Sequence, residues 1–378
     1  MIKFWSYKQE LKKYNKKIKS QINKSLNSGQ IFFGKELSKF EKNFTKTYKS
    51  KFGVAVGSGT DALFIALKAL GVKKGDEVIT AANTAIPTIS AIRNTGATPK
   101  LVDIGEDYLI NTSKIEKEIT KKTKVIIPVH LYGQTCDMDK INIIARKYRL
   151  KIVEDCAQSQ GAKYKNKFCG TIGKIGCFSF YPTKILGAYG DGGFILTNDF
   201  NLYKKIKRIR FYGIETVDKK NKFLNKYYSN EDGINSRLDE IQAGILNFKL
   251  SILDKLIARR RYIADLYTKE LQSTNLKLPK LNKYSTHVYH LYTVFHPRRK
   301  ILIQNLKKNL IGTKIIYPYP IHTMKAFKHL FKNNNNLKIS EIKSKGIFCL
   351  PIYPELKNKE VLKICNTIKK ILIKIKKI

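Results

Sequence analysis

The sequence predicts an α/β fold: a mainly parallel sheet flanked by helices, with a smaller α+β domain at the C-terminal end. Two patterns carry this. From Gly53 to Thr197, short apolar runs alternate with helical segments, as in strands joined by crossover helices. From Leu238 the pattern becomes a long helical stretch rich in Ile and Leu. Within it we place the boundary between residues 1–250 (an N-terminal segment and the large domain) and residues 251–378 (the small domain).

Each element has its own signal. Residues 8–50 read as polar helices broken near Gly29 and Gly34, with Leu37, Phe40 and Phe44 at helical spacing. Ser58-Gly59-Thr60 opens a helix whose Leu63, Ala66, Leu67 and Leu70 form an apolar face, and Gly71 stops it. Residues 77–80, 99–102, 124–129 and 151–153 are strand candidates, with a helical pattern over 139–148. Two further strands, over 177–180 and 193–197, flank Lys184. Residues 238–271 read as one long helical pattern, and residues 333–336 as an exposed low-complexity loop. In the tail, Ile364, Ile368, Ile371, Leu372 and Ile375 share one helical face, which fits either a docked terminal helix or a membrane-surface helix.

Composition narrows the function classes. At 378 residues and 43% hydrophobic content, the chain can bury a large core. The net charge is +44, from 73 Lys+Arg against 29 Asp+Glu. The lysines are spread along the whole chain and form no arm or stripe interleaved with aromatics, which argues against nucleic acid. The positive field would still draw in an anionic substrate. Six cysteines (Cys136, Cys156, Cys169, Cys177, Cys349, Cys365) have no CxxC pair, so neither a disulfide framework nor a metal site is expected. Residues 1–8 become charged too early for a signal peptide, and no stretch approaches the roughly 20 apolar residues of a membrane span. A cytoplasmic protein with reduced thiols and no membrane partner is the expectation.

The chemistry concentrates in one segment. Ser179-Phe180-Tyr181-Pro182-Thr183-Lys184, closed by Gly190-Asp191-Gly192-Gly193, delivers a lysine among apolar and aromatic neighbours. Such neighbours resist charging and leave the amine nucleophilic. Upstream, Lys151-Ile152-Val153-Glu154-Asp155 is a short strand with carboxylates at its C-terminal end, where ligands sit in open α/β sheets. Glu154 and Asp155 point to opposite faces, so only one can reach a ligand. A sheltered lysine and a strand-end carboxylate are what pyridoxal phosphate requires. The helix start at Gly59 and Thr60 offers free amides for its phosphate, although plain capping by Ser58 or Thr60 explains that pattern alone.

Five motifs in order strengthen this reading. Ser58-Gly59-Thr60-Asp61-Ala62-Leu63, Val129-His130-Leu131-Tyr132-Gly133-Gln134, Glu154-Asp155-Cys156-Ala157-Gln158, the lysine segment and Gly233-Ile234-Asn235-Ser236-Arg237-Leu238-Asp239-Glu240 resemble the sugar aminotransferases of the DegT/DnrJ/EryC1/StrS family. The resemblance runs from about Ile31 to the C-terminus. It implies a fold type I pyridoxal-phosphate-dependent transferase with a mainly parallel seven-stranded sheet, and a docked terminal helix. It implies that Lys184 is the Schiff-base lysine, that Asp155 serves the pyridine nitrogen, that Gln158 contacts the ring's 3-oxygen, and that Gly59, Thr60 and Ser179 hold the phosphate. Asn235 resembles the residue that reaches the phosphate from a neighbouring subunit, which implies a homodimer with shared sites; N-capping of the next helix is its simpler role. Tyr181, Tyr317, His322 and Asn83 are the candidate substrate contacts, and His130 a site neighbour by its motif, with structural roles as the alternative. Ala85 departs from the family, many of whose members stack an aromatic ring there.

The implied reaction moves an amino group from glutamate to a nucleotide-linked keto-sugar. The residues after Asn235 resemble members that aminate C3 of dTDP-3-keto-6-deoxyhexoses, giving 3-amino-3,6-dideoxyhexoses for lipopolysaccharide or other surface glycans. Amination at C4 of a UDP- or GDP-sugar is the alternative. A lysine at position 184 speaks against a related dehydratase, which carries histidine there. A more distant alternative is a non-catalytic relative that binds an anionic polymer or membrane.

Overall fold

A computed structural model describes residues 1–215, 227–331 and 336–376. Apart from Asn336, the loop expected over residues 333–336 lies outside them. Helices α1 (Tyr7–Asn27) and α2 (Lys35–Tyr48) part at Gly29, whose φ of +67° suits a residue without a side chain. No side chain of its own caps α2. Glu240, far along the chain, accepts from the amides of Gly34, Glu36 and Leu37 at 2.7, 2.8 and 3.1 Å and satisfies that helix start.

The large sheet and its crossovers follow in order: β1 (Phe52–Val56), α3 (Gly59–Ala69), β2 (Glu77–Ala81), α4 (Ile86–Asn94), β3 (Thr98–Val102), β4 (Thr123–Ile127), α5 (Met138–Lys147) and β5 (Lys151–Asp155). A small hairpin, β6 (Lys163–Tyr164) and β7 (Lys167–Phe168), precedes β8 (Ile175–Ser179), β9 (Gly193–Thr197) and α6 (Phe200–Arg210). The seven strands lie in the order β1-β9-β8-β5-β4-β2-β3. Strand β9 runs antiparallel to both its neighbours, and the other pairings are parallel. Both faces are buried, as a parallel sheet requires. Val54 and Val56 join one core with α3 and α4, while Ala55 between them joins Phe40 and Phe44 of α2 in another.

After the sheet come α7 (Glu240–Ser251), α8 (Leu253–Leu271), β10 (Tyr292–Phe295), α9 (Arg299–Lys308), α10 (Lys338–Gly346), β11 (Ile347–Leu350) and α11 (Asn358–Lys376). The single helix expected over 238–271 is two. Ile252 leaves helical geometry at φ −115°, ψ 10°, and the Ser251 hydroxyl donates to the Phe248 carbonyl at 2.7 Å, a local bond that competes with the helix. Strands β10 and β11 pair antiparallel under α8, α9 and α11. Ile364, Ile368, Ile371, Leu372 and Ile375 are buried in this third core, so α11 is a docked helix. All six cysteines are buried and free. Among the described residues, no helix is long and apolar enough to cross a membrane.

Candidate active site

A cavity of about 510 Å³ opens beyond the carboxyl ends of β5 and β8, against the start of α3. Gly59, Thr60, Asp155, Gln158, Ser179, Tyr181, Lys184 and Tyr317 all line it. Residues spread over some 260 positions of sequence thus meet because the ends of β5 and β8 and the start of α3 converge on one point of the sheet.

Lys184 is presented by a tight turn after β8. Its amide donates to the Tyr181 carbonyl at 2.8 Å, and the flanking amides of Phe180 and Ala188 donate to Gly192 and Phe180 carbonyls at 2.7 Å. Gly187 allows this folding-back, because a Cβ there would lie 2.5 Å from the Pro182 carbonyl oxygen. Desolvation lowers the Lys184 pKa to about 8, against an opposing pull from Asp155. Near neutrality part of the lysine population is therefore an uncharged amine.

Asp155 is 4% exposed and accepts from Thr88 Oγ1 at 2.9 Å and from the Ala157 amide at 3.1 Å. Burial raises its pKa, and those donors with Lys184 hold it back. Thr88 is itself 2.9 Å from the Thr84 hydroxyl. Its neighbour Glu154 points the other way and is fully buried. It accepts from the amides of Gly170, Ile172 and Gly173 at 2.8, 2.7 and 2.6 Å, and pairs with His130 Nε2 at 2.9 Å. His130 Nδ1 accepts from the Cys136 amide at 3.1 Å, which puts the ring proton on Nε2, donating to Glu154. His130 thus serves the back of the strand. Although His130, Glu154 and Cys156 have ligand-type atoms within 4.8 Å of one another, the imidazole nitrogens and the carboxylate are already committed to protein partners.

The far wall is a hydrogen-bonded set. Gln158 Oε1 accepts from the Tyr132 amide at 3.0 Å, and its Nε2 donates to Tyr317 Oη at 2.8 Å. The Tyr132 hydroxyl donates to the Ile316 carbonyl at 2.6 Å. Asn83 Nδ2 donates to that hydroxyl at 3.4 Å, so Asn83 backs this wall from outside the lining. At the other end, Ser58 Oγ caps α3 by accepting from the Asp61 amide at 3.1 Å. A Cβ on Gly59 would stand 2.6 Å from the Cβ of Ser179, so glycine is required for that close approach.

Asn235 and His322 do not line the cavity. Asn235 bridges Phe211 in an isolated antiparallel pair, and Asp239 holds the N-cap position of α7 without a side-chain capping bond, so Asn235 is not the N-cap. The next residue, Ser236, donates to Asp61 Oδ2 at 2.7 Å and accepts from the Gly57 amide at 2.8 Å, which ties this segment to the start of α3. His322 Nε2 lies 2.9 Å from Glu341 Oε1. Ala85 lines the cavity as the N-cap of α4 with Ile86 and Pro87, an apolar but not aromatic wall. Thr88, Thr84 and the Ser236–Asp61 link were not legible in the sequence: single hydroxyls gain meaning only once a distant segment is beside them.

The donor set fits pyridoxal phosphate: a sheltered amine, a buried carboxylate with spare accepting capacity, and free helix amides at the opposite end. The DegT/DnrJ/EryC1/StrS aminotransferase family model matches residues 12–369. The chain is 41% identical, over 93% of its length and 94% of the relative's, to a dTDP-3-amino-3,4,6-trideoxy-alpha-D-glucose transaminase of Micromonospora megalomicea subsp. nigra. It is 40% identical, over 97% and 99%, to a dTDP-3-amino-3,6-dideoxy-alpha-D-galactopyranose transaminase of Aneurinibacillus thermoaerophilus. It is 36% identical, over 93% and 94%, to a GDP-perosamine synthase of Escherichia coli O157:H7. Among solved structures, S. venezuelae DesV in complex with a ketimine intermediate superposes with a TM-score of 0.93 at 35% identity, covering 98% of both chains. Bacillus subtilis ntda with bound cofactor PMP superposes at 0.86 with 30% identity, over 96% of this chain and 82% of that one. The five ordered motifs, the seven-stranded sheet and these likenesses agree: the chain belongs to the pyridoxal-phosphate-dependent DegT/DnrJ/EryC1/StrS aminotransferase family.

Proposed function

We propose that this aminotransferase moves an amino group from glutamate to C3 of a dTDP-linked 3-keto-6-deoxyhexose. The observation that carries the chemistry is the convergence of the Lys184 amine and the Asp155 carboxylate on one cavity, with the free amides of α3 at its far end. When bound, the cofactor supplies a carbonyl carbon and a ring that takes up the electrons of a broken C–H bond. Lys184 would hold it. With a pKa lowered to about 8, the Lys184 Nζ would serve as the group that takes a proton from the donor's α-carbon and later gives it back. Asp155 would keep the pyridine nitrogen protonated, and Gln158 would contact the ring oxygen. The amides of Gly59 and Thr60 with the Ser179 hydroxyl would hold the phosphate. Tyr181 and Tyr317, lining the same cavity, are proposed as sugar contacts.

Two features support a homodimer with shared sites. Asn235 is held beside the α3 start yet outside its own cavity, which is compatible with a reach to a partner's phosphate. Near it, Ile31, Phe32 and Phe33 are exposed in sequence, with the Arg237 guanidinium 4.1 Å over the Phe32 ring. The choice of C3 and dTDP rests on the names of two of three relatives at 40% identity or more; the third, of Geobacillus stearothermophilus, is named a pleiotropic regulatory protein. The test is turnover of dTDP-, UDP- and GDP-linked 3- and 4-keto-sugars with glutamate, read by mass spectrometry. Amination of the dTDP-3-keto sugar is the expected result. Exclusive turnover of a 4-keto sugar overturns the position, and no amination of any sugar overturns the substrate class.

A further inference from the structure

A second cavity, of about 480 Å³, adjoins the first across two peptide bonds: Thr183 and Ile316 line the second, Lys184 and Tyr317 the first, and no residue lines both. Its walls are largely apolar, with Phe4, Trp5, Leu291 and Ile316 among them. Two buried polar groups also line it. Arg260 of α8 is 3% exposed and His290 is 6% exposed. Arg260 donates through Nη1 to the carbonyls of Tyr289, His290 and Ile352, but its Nε has no partner, and neither has His290 Nδ1. No described carboxylate pairs with the Arg260 guanidinium, and none lines the cavity. Burial pulls the Arg260 pKa down to about 10 against the opposing charges of Glu355 and Glu10, which act without direct contact, so the charge remains at neutral pH. Exposed Lys3 and Lys314 also line the cavity.

We infer that this cavity is a second ligand site, made for a small organic carboxylate with a flat apolar body. A buried guanidinium with no carboxylate in direct contact is costly, and a carboxylate matches the guanidinium fork. Water can meet Nε and Nδ1 but cannot neutralise the charge. Among the buried lining residues only Arg260 and His290 offer side-chain donors, a pair that one carboxylate takes. The apolar walls then favour a ring or alkyl body over a polar one.

The experiment uses the full chain with its cofactor bound. Trp5 is the only tryptophan, so its emission reports this cavity. Phenylacetate should change that emission saturably, and phenylacetamide, equal in shape but uncharged, should bind at least tenfold more weakly. Arg260→Met should weaken phenylacetate at least tenfold. Should that variant not fold, Ile316→Phe, which fills the cavity and leaves Arg260 in place, should abolish the response while circular dichroism stays unchanged. Equal binding of acid and amide, or undiminished phenylacetate binding in a folded Ile316→Phe chain, overturns the site. So does the absence of a saturable response in the unaltered protein.

Discussion

Two carboxylates stand side by side at the end of β5, and the sheet assigns them opposite fates. Glu154, behind the sheet end, is met by three amides and His130, a full set of partners supplied by the protein alone. Asp155, in front, accepts only from Thr88 and Ala157 and faces a cavity. Satisfied polar groups stabilise, while a buried carboxylate left with spare lone pairs is a group awaiting a ligand. The difference between structure and function here is a difference in hydrogen-bond saturation, read one residue apart.

The harshest way to test the front face is to remove its amine. Lys184→Ala should cut turnover by roughly four orders of magnitude or more, since nucleophile and proton carrier go together. Borohydride reduction of the unaltered holoenzyme should fix cofactor to Lys184 alone, and label on another lysine in the peptide map would refute the assignment. Next comes the pair itself. Asp155→Asn should lower turnover roughly a thousandfold while the melting temperature holds, because the lost group acts on charge developed in the cavity. Glu154→Gln should do the reverse. It presents an amide N–H to donors and should cost about 2–4 kcal/mol of stability with a far smaller effect on turnover per folded molecule. Equal losses of turnover from both substitutions would erase the distinction.

If Asn235 serves the partner's phosphate, as proposed, neither chain alone holds a complete front site. Lys184→Ala chains mixed with Asn235→Ala chains should regain activity through hybrids, in which an intact Lys184 meets the intact Asn235 of the other chain. Random exchange makes about half of all dimers hybrid with one good site in each, so about one quarter of the original activity should return. No recovery after exchange verified by native mass spectrometry, or full activity in a sedimenting monomer, would end the shared-site proposal and leave the chemistry of Lys184 standing.

The sequence was most legible where function is local. Lys184 with its Gly-rich turn, the Glu154–Asp155 strand end and the Ser58–Thr60 helix start each sit within a few residues, so apolar runs and turn residues locate them. The interruption at Ile252 was not legible, because both flanking stretches keep helical hydrophobic spacing. Contacts between segments were also hidden: Thr88 to Asp155, Gln158 to Tyr317 and Ser236 to Asp61 join residues 67, 159 and 175 positions apart. His130 illustrates the converse, since its motif drew it towards the site while the alternation of β5 sent its partner Glu154 to the back.

Charge burial gives a thermodynamic contrast between the faces. Lys184 in the cofactor-free chain titrates at about 8 when folded and at its ordinary 10.5 when unfolded. Between those values the unfolded chain holds the extra proton, so this group's contribution to stability rises with pH across the window and its cost is full below it. Lys184→Met should therefore stabilise the cofactor-free protein at pH 7 by at most roughly 3 kcal/mol, with the advantage fading towards pH 10.5. A chemical-denaturation series of both proteins across that range checks the slope, and an advantage that is flat with pH would mean the amine is not desolvated.

The smallest expected effect falls on Thr88, and it tests whether Asp155 needs its own support. Thr88→Val keeps the shape, removes the hydroxyl that donates to Asp155 at 2.9 Å, and leaves the Thr84 hydroxyl without that partner. Losing one donor to a charged, buried acceptor costs about 1.5–3 kcal/mol of preference for the ionised form, so the Asp155 pKa should rise further. Turnover should fall roughly tenfold at neutral pH, with less loss at higher pH, where Asp155 ionises again. The absorbance of bound cofactor should titrate at a shifted pH in the same variant, a change that simple loosening of α4 would not produce. Thr88→Ser, which restores the hydroxyl and omits the methyl, should return both readouts to near their original values. If Thr88→Val leaves the spectral titration untouched, Asp155 is held by the Ala157 amide alone, and the front carboxylate is even less saturated than the hydrogen bonds suggest.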